Sequence, residues 1–327
     1  KLPDRHPFIP QAITAKAVAI VAEKEAETGL IPLIFANDTH QTLAFLAKKF
    51  YNHPTDLLRL VGVTGTNGKT STVYLIHAIL KAAQLTPGLI GTIEHRWADK
   101  HEISQNSTPQ AHDLHRLFRA MADAQCQSAV MEATSEGLAQ HRLTGLNFEA
   151  AIFTNLTRDH LDAHGTFDNY LAAKAMLFDN LRSESNAIVN TDDKATQHLL
   201  ANCPAKVVYY GKSENADVRI INGETNWRGT KLHLQTLAGP MHLSLALQGT
   251  FQFYNAAAAV ATGLALGIAP NIITEALRDV RVPGRFEGID AGQDFGVIVD
   301  YAHAPDGLEN VLISGREFTQ GRLICVF

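Results

Sequence analysis

The sequence has little cysteine, little charge and no long apolar run. Cys126, Cys203 and Cys325 are its only cysteines. They lie far apart and form no CxxC pair, which excludes a disulfide framework and a cysteine-rich zinc knuckle. Charged residues make up 19% of the 327 positions, and 28 Lys and Arg against 33 Asp and Glu leave a net charge of −5. Without a basic excess there is no global field to hold a phosphate backbone, so no nucleic acid partner is expected. The longest apolar stretch, 256–269, is interrupted by Thr262, Gly263 and Gly267. It falls short of the roughly 20 residues that cross a bilayer, so no membrane partner is expected either. The first residues show no secretory signal, and a cytoplasmic location is the expectation. Apolar residues, by contrast, fill 46% of the chain, which is ample for a large core and argues against disorder. At about 150 residues per domain the length predicts two or three domains.

Position 1 is Lys, and the chain stops inside the apolar run Leu323-Ile324-Cys325-Val326-Phe327. The expectation is a piece of a longer protein. From about residue 58, short β-type runs at 58–63, 89–93, 129–131, 150–153, 187–189 and 207–210 alternate with helical patterns, the signature of a doubly wound, mostly parallel α/β sheet. Polar residues follow the runs: Glu132, Thr154-Asn155 and Asn190. Open α/β sheets bind ligands beyond the carboxyl ends of their strands, so a site is expected there. Strand-like alternation between 217 and 250 predicts an antiparallel extension, and 255–266 reads as an Ala-rich helix. Val282-Pro283-Gly284 reads as a linker, with a new βα pattern starting at 296–299. The first 57 residues carry a helical stretch and Leu33-Ile34-Phe35, too little for a whole domain.

The strongest local signal is Leu60-Val61-Gly62-Val63 followed by Thr64-Gly65-Thr66-Asn67-Gly68-Lys69-Thr70. Glycines allow close backbone approach, so successive N–H groups can converge on phosphate oxygens at a helix N-terminus. Lys69 is placed to reach the β- and γ-phosphates of a nucleoside triphosphate, and Thr70 to offer its hydroxyl to Mg²⁺. Val73, Ile76, Leu80 and Ala83 supply the apolar stripe of the following helix. The strict GxxxxGK[ST] pattern would need a glycine at position 63, where Val stands.

In the helical stretch 167–178, Lys174 sits between Tyr170, Leu171, Leu177 and Phe178 at helical spacing. Burial disfavours the charged ammonium. Either the stem snorkels to solvent, or a neutral amine takes up CO₂ as a carbamate and becomes a carboxylate able to meet Mg²⁺. Upstream lies Asp159-His160-Leu161-Asp162-Ala163-His164. Two His beside two Asp raise a zinc hydrolase, but no HExxH or third His accompanies them. In a nucleotide site the metal is Mg²⁺, which prefers oxygen ligands and tolerates an imidazole, with Glu132 as the carboxylate partner.

These residues, together with Asn106-Ser107-Thr108-Pro109, Met131-Glu132-Ala133-Thr134-Ser135, Thr154-Asn155-Leu156-Thr157-Arg158-Asp159-His160, Pro283-Gly284-Arg285 and Asp300-Tyr301-Ala302-His303, occur in the order of the Mur ligases, and the chain resembles the MurE branch of that family. The resemblance covers essentially the whole chain. It implies an ATP-dependent amide ligase that adds a diamino acid to UDP-N-acetylmuramoyl-dipeptide through an acylphosphate. It also implies three regions: 1–57 as the remnant of an N-terminal UDP-binding domain, 58–283 as the central ATPase domain, and 284–327 as the start of a Rossmann-like C-terminal amino-acid-binding domain.

By position, the resemblance implies that Gly65, Thr66, Asn67, Gly68, Lys69, Thr70 and Ser71 cradle ATP, with Asn255 by the adenine. Thr70 would hold one Mg²⁺, and Glu132, His160 and carbamylated Lys174 a second. Lys69, Glu132, His160 and Lys174 would carry catalysis. Asn106, Ser107, Thr108, Thr134, Gln140 and Arg142 would hold the muramoyl-dipeptide, while Arg285, Asp300, Tyr301 and His303 would approach the nucleotide. Ser107 stands in place of a usual Thr, Thr134 of a usual Ser, and Gln252 where family members often carry Asn. Two rivals are a folylpolyglutamate synthetase-like ligase and a P-loop regulatory NTPase. The Asn106–Pro109 and Gln140-His141-Arg142 segments favour the muramoyl substrate over the first, and the lack of an NKxD guanine motif counts against the second.

Overall fold

The computed structural model describes residues 4–157, 164–303 and 305–327. Eleven strands of these residues form one sheet, numbered here in chain order. At its centre lies β3 (Arg59–Thr64), flanked on one side by β7 (Ser128–Glu132) and β4 (Pro87–Ile90), and on the other by β8 (Phe148–Phe153), β9 (Asn186–Asn190) and β10 (Lys206–Gly211). All of these neighbours pair in parallel. Their carboxyl ends therefore share one edge, as the α/β pattern requires.

Both faces of the central strand are covered. Val61 and Val63 face α3 (Lys69–Ala82) and α8 (Gln252–Ala265), whereas Leu60 joins the opposite core with Phe118 of α4 (Ala111–Asp123) and with Tyr170 and Phe178 of α6 (Phe167–Asp179). Strand alternation explains the division, since successive side chains point to opposite faces. Each fully buried large side chain contributes roughly 1.5–3 kcal/mol relative to exposure.

The predicted antiparallel extension is present. β11 (Val218–Asn226), β12 (Gly229–Thr236) and β13 (Gly239–Leu245) form a meander, although β11 itself joins β10 in parallel. The run expected at 89–93 is a correction: the strand is Pro87–Ile90, and the chain leaves the sheet at Gly91 to run past Glu132. A hairpin of β5 (Glu94–Trp97) and β6 (Lys100–Ile103) follows, which sequence reading missed.

Before the sheet, β1 (Ile20–Ala22) and β2 (Leu33–Phe35) form a small parallel pair, and helix α2 (Thr39–Phe50) starts at Asp38, whose carboxylate accepts from the Gln41 N–H. After Gly284, β14 (Glu287–Ile289) pairs antiparallel with β15 (Val297–Val299), and α10 (Pro305–Phe318) follows. No described helix is long and apolar enough to cross a membrane.

Candidate functional site

A cavity of about 740 Å³ opens along the carboxyl edge of the sheet. The turn after β3 forms one wall. Gly65 has φ +145°, and a Cβ there would lie 1.8 Å from Thr154 Oγ1; at Gly68, φ is +84° and a Cβ would meet Asn255 Oδ1 at 2.3 Å. No side chain fits either place, so the backbone itself lines the turn. Gly68 leads into α3, whose first residues Lys69, Thr70 and Ser71 line the cavity at the positive end of the helix dipole. The turn is held from beneath. Asn155 accepts from the Asn67 N–H at 2.9 Å and donates to the Asn67 carbonyl at 3.1 Å, and the Thr154 hydroxyl donates to the same carbonyl at 2.7 Å. The polar residues expected at the strand ends therefore build the loop. Lys69 lines the cavity, and its ammonium donates to the Gly65 and Thr66 carbonyls at 2.9 and 2.7 Å.

Glu132 ends β7 with 1% of its surface exposed. Its Oε1 accepts from the Thr70 hydroxyl at 3.0 Å and from the Thr92 N–H at 2.8 Å, while Oε2 accepts from the Thr92 hydroxyl at 2.9 Å. Thr92 also lies 2.8 Å from Ser107 Oγ. Thr108 closes this wall: its hydroxyl donates to the Glu132 carbonyl at 2.8 Å and accepts from the N–H and hydroxyl of Thr134. Arg142 donates to the Thr108 carbonyl at 2.6 Å, and burial lowers its pKa from the ordinary arginine value.

The third wall comes from beyond position 283. Arg285 Nη2 donates to the Thr70 hydroxyl at 3.1 Å, and its guanidinium lies 4.7 Å from the Tyr301 ring centre. Asp300 is occupied by the N–H groups of Phe286 and Ala302, so it shapes the backbone that carries Tyr301 and His303 to the cavity.

Of the residues expected from sequence, Thr66 to Ser71, Asn106, Ser107, Thr108, Glu132, Thr134, Arg142, Asn255, Arg285, Asp300, Tyr301 and His303 line this one cavity. Gly65 and Gln140 lie behind it. Gln140 accepts two bonds from Arg142, at 3.1 and 2.6 Å, and so orients the guanidinium. Lys174 is 1% exposed, which rules out snorkelling; it lies beneath the phosphate-type loop and donates to the Gly65 carbonyl at 2.9 Å, with Tyr170 alongside. His160, with Asp159 and Asp162, lies outside the described residues. Gln252 is buried and accepts from Asn255, away from the cavity.

Sequence reading missed Thr92 and the wall of Asp192 and Tyr254. The Tyr254 hydroxyl donates to Asp192 at 2.9 Å, and burial followed by that bond pushes its pKa up to about 12. Asp192 follows Asn190 at the end of β9, so strand-end position was the available signal; Thr92 follows a strand whose end was misplaced.

Fold and site together define a phosphate-loop nucleotide-binding protein with a doubly wound sheet. The Mur ligase middle domain matches residues 63–263, and the Mur ligase glutamate ligase domain matches 284–327. The chain is 40% identical over 330 residues to UDP-N-acetylmuramoyl-L-alanyl-D-glutamate–2,6-diaminopimelate ligase of Bacillus velezensis, covering 99% of this chain and 67% of that protein. The enzyme of the same name from Aquifex aeolicus is 40% identical over 324 residues, covering 99% of this chain and 66% of that protein. A solved structure of a ligase of that name superposes with a TM-score of 0.81 at 27% identity, over 96% of this chain and 65% of the other. The folylpolyglutamate synthase of Mycobacterium tuberculosis, solved with ADP and AMPPCP, shares the fold with a TM-score of 0.71 at 21% identity, over 84% of this chain and 70% of that one. This chain belongs to the Mur ligase family. It spans about two thirds of the length of these ligases.

Proposed function

We propose that this chain belongs to an ATP-dependent ligase that joins a diamino acid to UDP-N-acetylmuramoyl-L-alanyl-D-glutamate, a step of peptidoglycan precursor synthesis in the cytoplasm that serves cell wall growth, cell shape and division. Residues 58–283 act as the ATPase domain, 1–57 belong to a UDP-binding domain, and 284–327 begin an amino-acid-binding domain. The observation that carries this reading is a single cavity joining two chemistries. One end offers a glycine-built backbone cradle with Lys69, and the other offers Asn106, Ser107, Thr134 and Arg142 to a polar acceptor.

The chemistry follows from the leaving group. An amine cannot displace oxide from a carboxylate. An acceptor carboxylate oxygen therefore attacks the γ-phosphorus of ATP, and ADP leaves. The amine then attacks the acylphosphate carbonyl, loses a proton, and phosphate departs. Two anions must meet in the first step, so positive charge has to be concentrated: Lys69, the amides of α3 and Arg285 supply it. Thr70 would hold one Mg²⁺, and Glu132 with His160 and a carbamate on Lys174 would hold a second, oxygen-rich sets of the kind that this cation takes. Mg²⁺ held by these residues would supply further positive charge against the phosphoryl oxygens. A carbamate keeps one N–H, so Lys174 retains its donor to Gly65. Arg285, Tyr301 and His303 cover the opening and exclude water from the acylphosphate.

The test is ATP-dependent phosphate release with and without UDP-N-acetylmuramoyl-L-alanyl-D-glutamate. Release that depends on this acceptor, and that falls by about 10²–10³ in Lys69→Ala, is the expected outcome. Stimulation by a folate in its place would move the chain to the folylpolyglutamate branch, and acceptor-independent release would overturn the ligase reading.

A further inference from the structure

Thr92 touches both ends of the cavity. Its N–H and hydroxyl hold the two oxygens of Glu132 at 2.8 and 2.9 Å, and the same hydroxyl lies 2.8 Å from Ser107 Oγ. The direction of these bonds follows from proton count. An ionised carboxylate only accepts, and a hydroxyl has one proton. Thr92 gives its proton to Glu132 Oε2, so towards Ser107 it must accept. Ser107 is then the donor, and the chain runs from Ser107 through Thr92 to Glu132. Ser107 keeps its lone pairs for the cavity, where they suit an N–H donor such as an amide of the acceptor peptide. At the other end, Glu132 Oε1 also accepts from Thr70, the first-turn residue of the nucleotide helix, at 3.0 Å. One buried carboxylate is thus held from the nucleotide side by Thr70 and from the acceptor side by Thr92.

We propose that Thr92 is a positioning residue that couples occupation of the acceptor end, through Ser107, to the orientation of Glu132 at the nucleotide end. The proposal rests on the ligase reading above and adds a regulation to its site. When an acceptor fixes the 104–108 loop, Ser107 stays on Thr92 and Thr92 stays on Oε2, so the carboxylate is set for the nucleotide and its cation. When the loop leaves, the Thr92 hydroxyl loses its donor and is free to rotate off Oε2. Binding of either ligand then favours the other, by the same factor in both directions.

The experiment measures the dissociation constant of a fluorescent ATP analogue with Mg²⁺, with and without saturating UDP-N-acetylmuramoyl-L-alanyl-D-glutamate. It compares the parent chain with Thr92→Val, which keeps the backbone N–H and the shape but not the hydroxyl, and with Thr92→Ser. The parent is expected to tighten about fivefold or more with acceptor. Thr92→Val should bring that ratio close to one, whatever its absolute affinity, and Thr92→Ser should restore it. Loss of packing alone would not be repaired by the smaller serine. Should the valine variant fail to fold, Ser107→Ala breaks the same chain from the other side and should also abolish the ratio. A parent-like ratio in Thr92→Val, or in Ser107→Ala where that variant stands in, overturns the proposal. So does a parent with no coupling at all, which leaves the ligase reading in place. A parent that binds no nucleotide overturns the reading itself.

Discussion

Lys174 shows how much one residue can disclose. A lysine in the middle of an apolar helical stripe was visible in the sequence, and the structure buries it beneath the nucleotide loop with its nitrogen on the Gly65 carbonyl. Its nitrogen serves the loop as a donor to Gly65, and the carbamate of the proposed function is a second role that a variant can test. Replacing Lys174 with Met keeps the volume and removes the nitrogen. The expected result is retained folding in a thermal melt with acceptor-dependent turnover lost by about 10² or more, unrestored by bicarbonate. Near-normal turnover in that variant would count against the carbamate. By contrast, the part played by Thr92 could not be read from sequence. Its importance comes from meeting Glu132, 40 residues away, and Ser107, and such a meeting leaves no periodic trace in either segment.

Among the elements, those with a strong period were legible. The buried runs of β3, β7, β8 and β9 read as continuous apolar segments because parallel strands are covered on both faces. The β5–β6 hairpin was not, since Glu94–Trp97 buries only His95 and Trp97 and no residue of Lys100–Ile103 is buried, so neither strand carries an apolar run. Helix α4 holds a different kind of surprise. His115 is fully buried on its inner face, and neither ring nitrogen has a partner among the described residues. Burial first, then the charges of Lys48 and His53, push its pKa down from 6.5 to about 4. The unfolded chain takes up that proton near pH 6.5, and the folded chain only near 4. Between those values the unfolded state binds more protons, so stability falls as the pH drops through this window and levels off below it. The full effect is about 3 kcal/mol. Urea unfolding of His115→Leu at pH 7 and pH 4.5 should show a smaller loss on acidification than the parent; an equal loss would mean that other groups carry the acid sensitivity.

At the scale of the whole molecule, described residues after 283 meet the sheet-bearing region through a bond from Arg285 and an aromatic cluster. Arg285 reaches the Thr70 hydroxyl. Phe286 packs on Phe251 and Phe318 at 5.6 and 5.9 Å, and Phe318 on Trp227 at 5.5 Å. Arg285 precedes Phe286 in the chain, so a movement of Arg285 is expected to reach Trp227 through Phe286 and Phe318. Thr70 is also where a nucleotide-bound cation would compete for the hydroxyl that Arg285 now holds, which makes Arg285 the element that must move or re-pair when nucleotide arrives. Trp97 is 5% exposed in the hairpin and Trp227 is 40% exposed, so in a Trp97→Phe background the emission reports on Trp227 alone. Adding ATP and Mg²⁺ should shift that emission, and Arg285→Ala should remove most of the shift while nucleotide still binds through Lys69 and the loop amides. A shift of full amplitude without Arg285 would show that the two regions communicate through the aromatic cluster alone.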